Sequence, residues 1–192
     1  PIKSSAASDV YKRQVTYDVL DDGFGQGALY TVVNQAENLP TMYQKFYVYK
    51  DMPYALVQVE LGSDNEISTN FMAPISTSGE NVVDIGTKTD ARALFVPFWN
   101  DGYTAYNPET LNGAHTSYFV TAIFDNNSRN SVIAGSVDHD TWKTGTSTWA
   151  TADNGNINFF GAFAGINSKE FTYDFQPVSY THLRAHETCA DL

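Results

Sequence analysis

Strict alternation of apolar side chains, with no helical period, is the feature that most constrains this chain. Phe46 and Val48 alternate with two tyrosines, and apolar residues occupy every second position of residues 55–61. Successive side chains of a strand point to opposite faces, so this pattern predicts two strands. The Lys50-Asp51-Met52-Pro53 run between them favours a turn, because proline fixes φ there and no ladder bond is lost. Residues 46–61 are therefore predicted to form a β-hairpin.

A second predicted hairpin joins residues 116–125 to residues 131–138 through an Asn-rich turn. Its first strand is apolar on both faces, which is typical of strands covered on two sides. Clusters of Gly, Asn, Asp and Ser divide the rest of the chain into short segments. Further strands are predicted at residues 15–20, 27–33, 68–73, 82–85, 92–97, 146–151, 157–163 and 171–175. The predicted fold class is all-β: a large antiparallel β-sandwich (supersandwich) of about ten to twelve strands, with no significant helix.

The two ends of the chain resemble translated sequencing adapters. The run SSAASDVYKRQ (residues 4–14) back-translates into an adapter from the front of library fragments, and VSYTHLRAHET (residues 178–188) into its partner. Such scars are excluded from fold reasoning. The sequence thus predicts adapter-derived segments at residues 1–14 and 177–192, flanking a metagenomic β-sandwich domain fragment at residues 15–176. The alternative is a natural basic arm and a natural tail containing His182, His186 and Cys189.

An excess of acidic residues limits the partners of the chain. Its 22 Asp and Glu residues outnumber its 11 Lys and Arg residues, giving a formal net charge of −11. Nucleic acids and anionic membranes require clustered cations, so neither is a predicted partner. No apolar run approaches the roughly 20 residues of a membrane-spanning helix. The charge is compatible with a neutral or cationic ligand, and solubility alone also accounts for it.

Residues 15–176 contain no recognisable catalytic or cofactor motif. They lack Gly-x-Ser-x-Gly, a phosphate-binding glycine loop, zinc-ligand spacing and a cysteine nucleophile. The densest ionisable cluster is Asp138-His139-Asp140, where a strand would place both aspartates on one face and His139 on the other. This indicates a strand end bonded to backbone amides more than a metal site. No catalytic residue, metal or cofactor is predicted.

An aromatic group supplies the candidate binding residues. The run from Phe98 to Tyr103 carries a predicted strand into a turn, and further aromatic residues lie where turns interrupt strands. A sugar site needs a ring for the apolar C–H face and amides or carboxylates for the hydroxyls. If Val96 and Phe98 face the core, alternation sends the next side chain outward. The predicted substrate-binding residues are Trp99, Asn100, Asp101 and Trp142, and Tyr106 and Trp149 belong to the same group. The competing interpretation is that each of these rings fills the core.

A family resemblance is carried by FVPFWNDGY (residues 95–103) and TSYFVTAIFDNNSRNSVIAGSVDHDTWKTG (residues 116–145), supported by the hairpin of residues 46–61. These stretches resemble the N-terminal β-supersandwich lobe of α-galactosidase-like (melibiase-type) glycoside hydrolases, especially those of gut bacteria. The resemblance implies a following (β/α)₈ catalytic barrel whose catalytic aspartates would lie beyond Gln176. It also implies that the chain is inactive alone, that a loop with Trp99, Asn100 and Asp101 approaches the sugar, and that the protein is periplasmic or secreted.

Two functions are compatible with these features. The first is a non-catalytic lobe of a carbohydrate-active enzyme, which supports a catalytic barrel and lends a loop to its sugar site. The second is an independent carbohydrate-binding or adhesion module. Similar sandwiches precede other glycosidase barrels or helical toroids, so the bond that is cleaved stays open. The predicted partners are a carbohydrate and the downstream catalytic barrel.

Overall fold

Twelve β-strands make up the regular structure of the residues that the structure describes. The computed structural model describes residues 12–67, 69–98, 106, 108–137, 142–152 and 155–165, and the backbone of residues 182–191. The strands are β1 (Lys12–Asp22), β2 (Gly25–Gln35), β3 (Thr41–Tyr49), β4 (Tyr54–Gly62), β5 (Phe71–Val83), β6 (Ala91–Pro97), β7 (Glu109–Thr110), β8 (Gly113–Asp125), β9 (Ser131–Gly135), β10 (Thr144–Ala150), β11 (Ile157–Gly165) and β12 (His182–Asp191). These described ranges contain no helix, and hence none able to cross a membrane. The predicted all-β fold is confirmed.

Strands β1 to β4 form an antiparallel meander, which is the first sheet. Asp22 closes the β1–β2 turn, because its Oδ1 accepts the N–H of Phe24 at 2.8 Å. The β3–β4 turn contains Asp51 at φ 58°, a left-handed conformation that Asp tolerates better than most residues. Val48 lies opposite Ala55 across this turn, so the hairpin predicted at residues 46–61 is confirmed.

Strands β5 to β11 form the second sheet, in the order β9-β8-β10-β11-β5, with β6 also paired to β8 and β7 to β6. Strand β8 is central because its two halves have different neighbours: residues 113–118 pair with β10 and residues 120–124 with β9. Between the halves, Phe119 adopts φ 67°, and its carbonyl accepts the N–H of Ser136 at 3.1 Å. This kink lets the sheet fold over its own core. The second predicted hairpin is confirmed as β8–β9, with Phe124 opposite Ser131.

Two apolar cores stabilise this arrangement. The smaller joins the sheets, where Val59 of β4 meets Met72 of β5 and Ala164 of β11. Gln44 of β3 also reaches across the sheets and donates from Nε2 to the Pro74 carbonyl at 2.6 Å. The larger core lies within the folded second sheet and comprises Ile85, Ala93, Leu111, Ile123, Ala134, Ala150, Ile157 and Phe160. The two sheets therefore pack as the predicted antiparallel sandwich.

Strand β5 differs from its prediction. The sequence predicts two strands, at residues 68–73 and 82–85, separated by a turn at Ser78-Gly79, whereas the structure has one continuous strand. Ser78 lies opposite Phe159 of β11, and Gly79 accommodates φ 154°. Residues 76–80 are exposed, which explains why they resemble a turn in the sequence. The strand predicted at residues 171–175 lies outside the described residues.

The backbone of strand β12 lies between the two sheets. Residues 182–190 pair with β4, and residues 188–191 pair with β9. The sequence predicts an adapter-derived tail that is draped loosely on the domain. The structure differs, because this backbone occupies an interior position of the strand order.

Candidate functional site

Strand β6 fixes the start of the segment that carries three of the four predicted binding residues. The N–H of Val96 donates to Oγ of Ser117 at 2.8 Å, and that hydroxyl donates to the carbonyl of Val120 at 2.6 Å. Pro97 lies opposite Ser117 after a register shift. Phe98 follows and is buried. Trp99, Asn100 and Asp101 themselves lie outside the described residues.

Phe98 belongs to a group of packed rings, the Phe98 cluster, which consists of Phe71, Phe98, Tyr118 and Phe163. The Phe98 centroid lies 5.5 Å from that of Phe163 and 6.4 Å from that of Tyr118. Phe71 stacks on Phe163 at 5.5 Å. Gly145 of β10 makes room for these rings, since a Cβ there would lie 2.8 Å from Phe98 and 2.9 Å from Phe163. Each ring pair adds about 0.5–1.5 kcal/mol beyond its buried area, so the cluster is a firm anchor.

Lys143 places a positive charge on the Phe98 cluster. Its Nζ lies 4.1 Å from the Phe98 centroid and 5.4 Å from the Tyr118 centroid, which is cation–π geometry. It also donates a hydrogen bond to the Phe98 carbonyl. Burial lowers the pKa of Lys143, because the charged form loses water. The last described residue before Trp99 is thus held through both its ring and its carbonyl.

Two rings at the edge of this site face solvent. Tyr118 is 38% exposed and Phe119 is 36% exposed, with ring centroids 6.3 Å apart. Phe119 is presented by the β8 kink. An exposed aromatic face next to a cation can accept the apolar face of a sugar and one of its hydroxyls.

Trp142 lies at the junction between the sheets. It is half-buried and packs against the core formed by Val59, Met72 and Ala164. A Cβ at Gly165 would lie 2.7 Å from its ring, so the ring is closely surrounded. The structure thus gives Trp142 a packing role, and only its exposed part is open to a ligand. Trp142 directly precedes Lys143 in the chain.

Two other members of the aromatic group are exposed. Trp149 is 45% exposed and Tyr106 is 57% exposed. Trp149 lies on β10, five residues beyond Thr144, or about 16 Å along the strand. It is therefore remote from Lys143 and does not extend the same surface.

The densest ionisable cluster of the sequence, Asp138-His139-Asp140, lies outside the described residues. Within the described part of the chain, no group of three or more His, Cys, Asp or Glu side chains is placed to hold a metal ion. What that part offers at the Phe98 cluster is aromatic surface, one cation and backbone carbonyls. Groups of this kind can stack on and hydrogen-bond to a ligand.

Sequence reasoning missed the partners of Phe98. Lys143 was visible as one of few cations in an acidic chain, and it lies two residues before a glycine. Its contact with Phe98 spans 45 residues of sequence and depends on the pairing of β8 with β10. The residues around Lys143 in the sequence therefore do not indicate its contact with Phe98.

No protein-family model and no curated protein sequence matches this chain.

Proposed function

We propose that this chain is a non-catalytic β-sandwich lobe of a carbohydrate-active enzyme, of the α-galactosidase-like glycoside hydrolase kind. It supports a separate catalytic domain and presents a sugar-contacting loop that begins at Trp99. The observation that carries the proposal is the anchoring of Phe98 by Lys143 and the surrounding rings. A loop held this firmly at its base loses less conformational entropy when it binds a ligand.

The chemistry of the loop and of its surroundings suits a carbohydrate. Trp99 supplies a stacking face, and Asn100 and Asp101 supply hydrogen-bonding groups for hydroxyls. The exposed rings of Tyr118 and Phe119 extend the aromatic surface next to the anchor. In this proposal the acid and nucleophile that cleave the glycosidic bond belong to the catalytic domain.

An independent carbohydrate-binding or adhesion module is the second candidate. The exposed ring of Trp149 favours it, because it offers aromatic surface remote from the Phe98 cluster, and Tyr106 is a further exposed ring. The neighbouring DNA distinguishes the two functions. A following series of alternating strands and helices supports the lobe, and a linker or a stop codon supports the module.

The test of the sugar site compares two tryptophan variants of this chain. Methyl α-galactoside is titrated into the unmodified chain, Trp99→Ala and Trp149→Ala, with binding followed by calorimetry or NMR. We expect Trp99→Ala to weaken binding about two- to tenfold, the value of one stacking contact, and Trp149→Ala to leave it unchanged. Melting curves complete the test, because truncating a core tryptophan costs about 3–5 kcal/mol. A large fall in Tm for Trp99→Ala with sugar binding intact would place Trp99 in the core and overturn the proposal.

A further inference from the structure

Strand β1 is an edge strand of the first sheet among the strands that the structure describes. Its only partner among the described strands is β2, over the full register from Lys12 opposite Gln35 to Asp22 opposite Gly25. Ten of its eleven residues are exposed, and only Leu20 is buried. Such an edge presents a row of backbone donors and acceptors to a further strand. The strand has neither a proline nor a register shift that would discourage pairing.

One face of β1 has a self-complementary sequence. Side chains at odd positions share one face, and in order they are Arg13, Val15, Tyr17, Val19 and Asp21. Val15 is 63% exposed, Tyr17 is 59% exposed and Val19 is 81% exposed. If a second copy of this row is placed antiparallel to the first, each charged side chain lies opposite one of the opposite charge, and each valine lies opposite a valine.

We propose that the chain forms a two-fold symmetric dimer through antiparallel pairing of β1 with β1 of a second copy, centred on Tyr17. In this register Arg13 lies opposite the second copy's Asp21, and Val15 lies opposite Val19. On the other face, Lys12 lies opposite Asp22. A two-fold axis requires a patch that complements itself, and this strand provides one. Opposite charges and β-branched pairs directly across an antiparallel ladder are stabilising.

The positions of the charges on β1 support antiparallel pairing, because the chain as a whole is strongly acidic. Each copy carries a net charge of −11, which opposes association in general. Two adjacent cations nevertheless begin β1, and two adjacent carboxylates end it. Antiparallel pairing is the arrangement that brings them together. Lys12 and Arg13 fall within the segment that the sequence predicts to be adapter-derived, whereas Val15, Tyr17 and Val19 lie in the predicted domain.

Disulfide trapping tests the register directly. In a Cys189→Ser background, which removes the single native cysteine, Tyr17→Cys is compared with Val19→Cys, using oxidised glutathione as the electron acceptor. Residue 17 faces its own copy across the axis at about 4.5–5.5 Å between Cα atoms, within reach of a disulfide. Val19 is more exposed but faces Val15, so its two copies lie about 13 Å apart along the strand. We expect a cross-linked dimer for Tyr17→Cys only. Equal cross-linking of both variants, or of neither, would overturn the proposal.

Charge-reversal variants test the same β1–β1 interface without cross-linking. Sedimentation is measured from about 1 μM to about 1 mM for Arg13→Glu, Asp21→Lys and the double variant. Each single variant places like charges opposite each other twice per dimer, and we expect the dissociation constant to rise about tenfold. The double variant restores opposite charges and should restore the dimer. A chain that stays monomeric throughout the range, or a dimer indifferent to the single changes, would contradict the proposal.

A matched valine pair controls for general effects of an added cation. Val19→Lys places a lysine near the centre of the β1–β1 interface, whereas Val137→Lys adds the same charge at an exposed valine outside the strands. We expect dimerisation to be lost in the first variant and kept in the second, with melting of the monomer unchanged in both. Equal loss in both variants would assign the association to net charge and not to β1.

Discussion

Asp125 shows how a single buried carboxylate holds several loops together. Its Oδ2 accepts the backbone N–H groups of Thr89 and Asp90, both at 2.7 Å. Its Oδ1 accepts those of Ser128 at 2.8 Å and Asn127 at 3.1 Å. The residue is fully buried at the end of β8. It therefore ties the β8–β9 turn to the entry of β6, the strand that leads to the candidate site.

The stability of the fold should depend on pH through the ionisation of the Asp125 carboxylate. The N–H of Ser128, followed by that of Asp90, holds the pKa of Asp125 well below its usual range, although burial opposes them. A depressed pKa in the folded state stabilises the fold above the unfolded-state pKa of about 4, and this contribution is lost as pH falls further. We expect Asp125→Asn to lower Tm by several degrees at pH 7, with the difference shrinking below about pH 4. A difference that is constant with pH would show that the charge is unimportant.

Thr148 offers the opposite case, a buried hydroxyl that costs stability. It is 2% exposed, and its Oγ1 has no hydrogen-bond partner among the described residues. Thr148→Val keeps the shape of the side chain and removes the polar atom, so we expect a gain of about 1 kcal/mol in unfolding free energy. Thr146→Val is the matched control, because the hydroxyl of Thr146 bonds to that of Thr121 and its removal should destabilise. Denaturant unfolding of both variants checks the prediction, and a loss for Thr148→Val would contradict it.

Strands that pair with a neighbour in the sequence were predictable, and features that depend on distant strands were not. Both hairpins were predictable because alternation and turn residues lie within a single stretch of about twenty residues. The continuous β5 was not, because its exposed middle pairs with β11, which is distant in the sequence. The kink of β8 was not either, because Phe119 adopts a positive φ that a large aromatic residue does not signal.

The sequence and the structure predict different effects on thermal stability when strand β12 is removed. An adapter-derived tail was never selected to pack, which predicts that trimming residues 177–192 leaves the thermal transition unchanged or sharper. The structure places the tail backbone between β4 and β9, so its removal exposes the edges of both strands. From the structure we expect Tm to fall by at least a few degrees, the equivalent of about 1 kcal/mol for a domain of this size. The measurement compares melting of the full chain with that of the chain ending at Gln176. An unchanged Tm would mean that the sandwich does not depend on β12.

Catalytic activity is a property of the whole molecule, and none is expected here. The chain should release no product from aryl α-galactosides or other aryl glycosides, because the proposed function assigns the acid and nucleophile to another domain. Aryl glycoside assays with the purified chain provide the measurement. Sustained turnover that a single Asp substitution abolishes would contradict the proposed function and locate a catalytic carboxylate within this chain.

The candidate site was partly predictable from sequence. Burial of Phe98 was the condition on which alternation would send the next side chain outward, and Phe98 is buried in the structure. The rings that hold Phe98 come from β8 and β11, and the cation precedes β10 by one residue; the pairing of these three strands is a property of the fold and not of any one segment. Trp142 was predicted as a binding residue because it is aromatic and lies where a turn interrupts strands, and the structure shows its ring packed at the junction of the sheets.

The pairing of β5 with β11 also bears on how the chain folds as it is synthesised. The hydroxyl of Thr77 bonds to the carbonyl of Phe160, 83 residues further along. Until β11 has left the ribosome, β5 has no strand on that side, and its exposed edge can pair with other chains. Ordering so long a loop before its contacts form slows folding. The pairing of β5 with β11 can therefore be completed only after the chain has been synthesised as far as Gly165.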